Sequence, residues 1–391
     1  MATDPVMTVV RPTDLHDRFA AAYSVLETAI AERAFPGCAF GVLAGGEVVL
    51  QDGLGRFTYD EQAPAVQAET KYDVASLTKV VATTAAAMLL NQRGLLDLET
   101  PVGELLPGFV IGRPPGTWAR HVTVRQLLAH NSGLPGYVEF FRNATTPAEL
   151  FRSCLELSFE SHPGERVEYS DPGFILLGKA LEVVMRESLA SWVRREIFYP
   201  LELAATGFNP GRYLSASIPP TEEDLTFRRR VIQGEVQDEN ASVLHGVAGH
   251  AGLFSNVPDL LRFANEILGA LRAPSGAEEP RPRLFSAAVI ERFAERQGPV
   301  GSSRALGWDM PSEGSSSGRH FSSRSIGHLG YSGCSLWIDL EADVAVVLLT
   351  NRTWPDRKNQ AIREVRPALH DAIRRALSGS KNSTFGTTPA S

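Results

Sequence analysis

The chain has 391 residues, 43% hydrophobic and 21% charged, which is enough apolar material for one large domain or two lobes around a core. A formal net charge of -7 and a pI near 5.8 argue against nucleic acid as a main partner, and the densest basic run, Arg228-Arg229-Arg230, reads as a solvated face. No stretch is long and apolar enough to span a bilayer, and Cys38, Cys154 and Cys334, odd in number and widely spaced, suit buried free thiols better than disulfides or a metal site.

The first residues, Met1-Ala2-Thr3-Asp4-Pro5-Val6-Met7, lack the basic-then-apolar pattern of a secretory leader, so the sequence reads as cytoplasmic. Residues 15–33 carry apolar side chains at helical spacing and stop near Pro36-Gly37, which predicts a first helix. Cys38-Ala39-Phe40-Gly41-Val42-Leu43 and Glu47-Val48-Val49-Leu50 flank Ala44-Gly45-Gly46, the pattern of a hairpin with a glycine turn. An alanine- and leucine-rich run at 82–90, with Gly94 just beyond it, predicts the next helix.

From about 95 to 271 the pattern is mostly helical, broken by proline- and glycine-rich loops. A short amphipathic helix is expected at 122–130, a longer one at 173–187 and another at 189–199. A capped start is expected where Asn256 precedes Asp259 by three residues. Residues 273–283 and 311–318 read as surface loops. Within the second, Gly314-Ser315-Ser316-Ser317-Gly318 has the letters of a hydrolase nucleophile elbow but neither the strand before it nor the helix after it.

Strands return near the end. Cys334-Ser335-Leu336-Trp337-Ile338-Asp339 and Val344-Ala345-Val346-Val347-Leu348-Leu349 form a second hairpin, whose later member is apolar throughout and therefore buried on both faces. A final helix over 358–377 precedes a polar tail from Gly379 that is expected to be disordered. Strands at both ends with helices between them predict an α/β (α+β) fold, with a mixed, mainly antiparallel sheet flanked by helices and an inserted all-helical lobe. The expected layout is one catalytic domain over 8–378, with an α/β lobe at about 8–75 and 300–378, a helical lobe at about 76–299, and a tail at 379–391.

Chemistry concentrates at Tyr72-Asp73-Val74-Ala75-Ser76-Leu77-Thr78-Lys79-Val80-Val81. On a helix, positions i and i+3 share a face, which places the Lys79 ammonium beside the Ser76 hydroxyl. A serine needs a neighbour to take its proton, and a lysine serves only if burial or positive charge depresses its pKa. The helix N-terminus adds N–H groups that favour a developing oxyanion. Ser378-Gly379-Ser380-Lys381 has the same spacing, but no apolar run follows it.

Two further segments offer partners. Tyr169-Ser170-Asp171 supplies a phenol whose pKa is expected to fall beside Lys79. Gly327-His328-Leu329-Gly330-Tyr331-Ser332-Gly333 leads into a strand where glycines admit substrate backbone and the Tyr331 N–H offers a second oxyanion donor. His245 and His250, with Asp238 and Glu239 upstream, lie in a glycine-rich loop that fixes no metal geometry, so they are expected to line a pocket. Trp308 and Trp337 are expected in the core.

In this order the three segments resemble the serine β-lactamase and penicillin-binding-protein superfamily. Its boxes are serine-x-x-lysine, a tyrosine- or serine-x-asparagine element, and a lysine- or histidine-x-glycine strand. The tyrosine in the second box is similar to the class C β-lactamase and D-alanyl-D-alanine carboxypeptidase branch with its related esterases. The resemblance spans about residues 35–352 and includes the runs at 123–134, 199–208 and 249–255. It implies a β-lactamase/transpeptidase-like fold without a cofactor or metal, acting on a small-molecule ester or amide. It also implies Ser76 as the acylated nucleophile, Lys79 and Tyr169 as the proton-transfer pair, the N–H groups of Ser76 and Tyr331 as the oxyanion hole, and Asp171, His328 and Gly330 as substrate-binding residues.

Two departures from that pattern bear on specificity. Asp171 stands where β-lactamases of this branch have asparagine, and His328 where they have lysine, so a neutral amide becomes a carboxylate and a permanent cation becomes a pH-dependent one. Both make the pocket less cationic, so ester hydrolysis is expected ahead of β-lactam or D-alanyl-D-alanine cleavage, with acyl transfer open. A non-hydrolytic acyl-binding sensor is the alternative from another class.

Overall fold

The computed structural model describes residues 16–272 and 283–379. Helix α1 (Ala20–Ala31) leads into β1 (Gly37–Ala44), and the chain returns as β2 (Glu47–Gly55) through Gly45 and Gly46, both at positive φ. A tight hairpin with left-handed backbone at both central positions favours glycine, which carries no Cβ to clash. After β3 (Tyr72–Asp73) and helix α2 (Ala85–Gln92) come α3 (Asp171–Met185), β4 (Gly207–Phe208), β5 (Glu222–Asp224), β6 (Arg230–Ile232) and β7 (Leu253–Ser255). Helices α4 (Val257–Arg272) and α5 (Ala287–Ala294) precede β8 (Ser325–Leu329), β9 (Ser335–Asp339), β10 (Val344–Thr350) and α6 (Ile362–Gly379).

Five strands form the main sheet in the order β2-β1-β10-β9-β8, and every pairing is antiparallel. Strands from opposite ends of the chain meet at its centre, in register from Cys38 opposite Thr350 to Ala44 opposite Val344. Side chains alternate across a strand, so Phe40, Val42, Val346, Leu348 and Trp337 pack under α1 and α6. Ala39, Leu43, Ala345, Val347 and Leu349 face the larger core, where α4 lies on the sheet. A Cβ on Gly41 would stand 2.5 Å from Val257 Cγ1, so the small residue sets that close approach. This two-sided burial accounts for the unbroken apolar run of β10.

The segment between β2 and β8 is not wholly helical as expected. The part expected to be an all-helical lobe, about 76–299, holds a two-stranded sheet, β5-β6, and two strands of the three-stranded sheet β3-β7-β4. These stretches are two or three residues long, too short to nucleate a helix, and they satisfy their backbone groups by pairing across the chain. The β3–β7 pairing sets Tyr72 opposite Ser255 and brings the chain just before Ser76 against the loop that ends at Gly252.

Helix ends follow the sequence signals. Thr123 and Gln126 form a capping box at the helix Val124–Leu128, and Asn256 Oδ1 accepts the Asp259 N–H at 3.0 Å. The 189–199 stretch begins as the helix Leu189–Val193 and widens to π-helical turns over Arg194–Phe198. Gly314 and Gly318 sit in turns with no elbow geometry. The loop prediction at 273–283 falls largely outside the described residues, as do the tail and Lys381 of the second serine-x-x-lysine match. Cys38, Cys154 and Cys334 are buried free thiols, and Trp308 and Trp337 are core residues. Among the described residues no helix is long and apolar enough to cross a membrane.

Candidate active site

Asp73 ends β3 and is fully buried. Its carboxylate accepts the N–H of Ala75 at 2.8 Å and of Gln237 at 2.7 Å. Burial pushes its pKa up to about 6 against the pull of those two N–H groups. The bond to Ala75 holds that residue at φ 47°, a left-handed conformation that a side chain resists. Ser76 follows in a 3₁₀ turn (Ala75–Leu77), and π-helical turns (Lys79–Thr84) precede α2. The single α-helix expected here is therefore replaced by a tight turn and a wide one. The wide turns coincide with Lys79 and Thr83 bonding the carbonyls of His250 and Gly249, at 3.1 and 2.7 Å.

Lys79 is fully buried and its ammonium has three acceptors: Ser76 Oγ at 3.1 Å, Asp171 Oδ1 at 2.7 Å and the His250 carbonyl at 3.1 Å. It also lies 4.8 Å from the centre of the Tyr169 ring and 5.6 Å from that of Phe174. Burial is the largest single influence and would lower the lysine pKa, but Asp171 and Tyr169 together outweigh it and the pKa is raised. This reverses the depression that the sequence reading requires of a lysine base. Tyr169 is reversed as well: burial, with the Asp171 charge, raises the phenol pKa more than Lys79 and Ser76 lower it.

His328 and His130 flank Tyr169, with ring centroids 5.8 and 4.6 Å away. His328 Nδ1 faces the Leu329 carbonyl at 2.9 Å, which assigns the proton to Nδ1 and leaves Nε2 as a buried acceptor without a partner among the described residues. Burial, then the charges of Lys79 and Arg304, hold its pKa well below the usual histidine range. His328 is thus a neutral imidazole, not the pH-dependent cation expected from sequence. His130 is neutral for the same reasons and accepts the Ser170 N–H at 2.9 Å.

The cleft above these groups has a volume of about 610 Å³, and Ser76, Tyr169, Asp171, His328, Gly330 and Tyr331 all line it. A Cβ on Gly330 would stand 2.5 Å from the Val74 carbonyl, so this glycine allows the end of β8 to lie against the nucleophile turn. Six residues chosen from the sequence therefore share one cleft, with Lys79 beneath it.

Of the glycine-loop residues expected to line a pocket, Asp238 and Glu239 line the cleft and His245 and His250 do not, and sequence reasoning missed the arginines of the far wall. His250 Nε2 pairs with Asp238 Oδ1 at 2.9 Å; burial opposes the charge on Asp238, but His250 holds its pKa down to about 2. A Cβ on Gly249 would stand 2.1 Å from the Phe174 carbonyl, so the glycine loop seats His250 against α3. No group of three His, Cys, Asp or Glu side chains suited to a metal ion occurs among the described residues. The far wall carries Arg352, Arg363 and Arg366. Arg366 donates to the carbonyls of Gly330 at 2.8 Å, Cys334 at 2.8 Å and Gly333 at 3.2 Å, and Arg352 to those of Tyr331, Arg357 and Asn359. One sequence signal existed for Arg366. It falls on the apolar face of α6, four residues after Ile362 and three before Leu369.

A five-stranded antiparallel sheet under a serine, a lysine and a tyrosine drawn from separate segments defines the serine β-lactamase and penicillin-binding-protein class of fold. The Beta-lactamase family model matches residues 23–369, and the chain belongs to that family, one of serine hydrolases. It is 29% identical over 358 residues to the N-acetylmuramyl-L-alanine amidase of Bacillus subtilis (strain 168), covering 81% of this chain and 77% of that protein. Among solved structures it resembles the octameric penicillin-binding protein homologue from Pyrococcus abyssi, with TM-score 0.70 and 23% identity over 93% of this chain and 78% of that one. It also resembles EstCE1, a hydrolase with promiscuous acyltransferase activity, with TM-score 0.72 and 22% identity over 92% and 99%.

Proposed function

We propose that the protein hydrolyses a small ester or amide through an acyl-enzyme on Ser76. The observation that carries this reading is the 3.1 Å contact between Ser76 Oγ and Lys79 Nζ at the floor of the cleft, with Tyr169 beside them. Ser76 attacks the carbonyl carbon. The N–H groups of Ser76 and Tyr331, both on the cleft, receive the oxyanion, and Tyr169 passes a proton to the leaving group. Water then attacks the acyl-enzyme, and the same groups return the proton.

Neutral His328 supports the ester reading, because a substrate carboxylate gains no cation at that position. The arginines of the far wall support a second reading, cleavage of an amide that bears a carboxylate, as in a D-alanyl-D-alanine peptide or a β-lactam. The relation to an amidase is consistent with it.

The test sets wild type beside Ser76→Ala with chromogenic short-chain esters, a cephalosporin, a D-alanyl-D-alanine peptide and a fluorophosphonate probe. Ester turnover that vanishes in the variant is the expected result, and preference for the carboxylate-bearing amides selects the second reading. Stoichiometric labelling without turnover would make the protein a sensor, and no Ser76-dependent reaction would refute both readings.

A further inference from the structure

An ammonium has three N–H donors, and Lys79 uses one each on Ser76 Oγ, Asp171 Oδ1 and the His250 carbonyl. Engaged in this way it donates to the serine, and it holds no lone pair to receive the hydroxyl proton. The shortest of the three contacts is the ion pair with Asp171, at 2.7 Å. Asp171 is the first residue of α3, a 15-residue helix whose N-terminal N–H groups favour its negative charge. Lys79 is wholly inaccessible and the Asp171 side chain only 16% exposed, so water screens the pair weakly.

Other groups face Lys79 from each neighbouring element. The Tyr169 phenol adjoins it from the same segment as Asp171, and His250 adjoins it from the loop before β7, with Asp238 behind. His130 and His328 stand on either side of Tyr169, both neutral, and Arg304 lies over the Tyr169 ring at 5.2 Å. The Asp171 carboxylate in contact thus opposes one more distant arginine, while Asp238 is engaged by His250, and the balance favours the ammonium. Asparagine at position 171, as in the β-lactamases of this branch, would exert no such pull.

We infer that Asp171 locks Lys79 in its ammonium form, so that acylation of Ser76 starts only after one proton has left this cluster for solvent base, and Asp171 thereby sets an alkaline limb on the reaction. The inference rests on reading Ser76 as the nucleophile. In the first step hydroxide, or a buffer base, takes one proton from Lys79, leaving a neutral amine beside the Asp171 carboxylate. Ser76 then gives its proton to the Lys79 nitrogen as the bond from Oγ to the carbonyl carbon forms and the carbonyl electron pair moves onto oxygen. On collapse that proton travels through Tyr169 to the leaving group as its bond to carbon breaks.

The experiment measures the second-order rate of Ser76 labelling by a fluorophosphonate probe from about pH 6 to 10, which needs no knowledge of the natural substrate. Wild type should gain roughly tenfold per pH unit through pH 7 to 9. Asp171→Asn should move the midpoint acidward by at least about one unit, as loss of an adjacent opposite charge does, and so label about tenfold faster or more at pH 7. Asp171→Glu should keep the wild-type midpoint. A wild-type plateau below about pH 8 overturns the inference without recourse to any variant. So does an Asp171→Asn midpoint equal to that of wild type, or slower labelling at every pH. Absence at every pH of labelling that depends on Ser76 refutes instead the nucleophile reading beneath it.

Discussion

The two walls of the cleft both carry ionisable groups and treat them differently. On the side of the inserted segment, Asp171 meets Lys79, Asp238 meets His250, and Glu239 meets Arg357. On the side of β8 and α6, Arg352 and Arg366 donate to backbone carbonyls and Arg363 has no side-chain partner, so among the described residues none of the three meets a carboxylate. Burial pushes Arg366 down to about 10, a sign that its charge is poorly compensated. Paired charges hold the reacting groups in place, whereas Arg352 and Arg366 give the second wall an uncompensated positive charge and leave the Arg363 side chain to meet a ligand. On the function proposed above, the first wall serves as machinery and the second as recognition.

Breaking the paired wall gives the largest effect. Lys79→Met should abolish Ser76 labelling by three orders of magnitude or more and destabilise the fold by about 3–5 kcal/mol, because the Asp171 carboxylate loses its cation. Adding Asp171→Asn should recover most of the stability, read by urea unfolding, and none of the activity.

Asp73 sharpens the contrast, being a buried carboxylate held by N–H groups with no cation in contact. Its folded pKa of about 6 lies above the unfolded value of 3.8, so between those pH values the folded state binds more protons and stability falls as the pH rises. About two units correspond to a loss of roughly 3 kcal/mol between about pH 4 and 6, level above that. Asp73→Asn should flatten this slope in unfolding curves taken across that range. The same variant should slow labelling, because an amide cannot accept from both N–H groups at once.

On the other wall, Arg363→Ala should raise KM for a carboxylate-bearing substrate about five- to tenfold and leave a neutral ester within twofold. Equal effects on both substrates would remove the distinction between the walls. A change remote from the cleft calibrates the rest: Thr123→Ala removes a capping box and should cost about 1 kcal/mol in thermal unfolding, with labelling unchanged.

Much of this site is legible in the sequence because its chemistry depends on short spacings. Ser76 with Lys79, Tyr169 with Asp171, and His328 with Gly330 and Tyr331 each lie within one turn or one strand end, and all converge on the cleft. Charge state is not local in that way. Lys79 meets its counter-ion 92 residues away, and His328 is neutral because of burial and of Lys79 and Arg304, which only the folded chain brings near. The arginine wall was hidden for the same reason, since Arg352 and Arg366 read as an ordinary strand end and an ordinary amphipathic helix. The left-handed Ala75 arises from Asp73 reaching back to its N–H, and no propensity of alanine announces it.

The register between Cys38 and Thr350 has a consequence for biosynthesis. β1 pairs at once with β2, but its other edge stays open until the ribosome has released some 300 further residues, so an early β-strand with an apolar face must be kept from other chains in the meantime. The nucleophile turn is translated early yet rests on an edge strand made late. Nascent chains arrested before β10 should therefore carry a finished Ser76 segment and no working cleft.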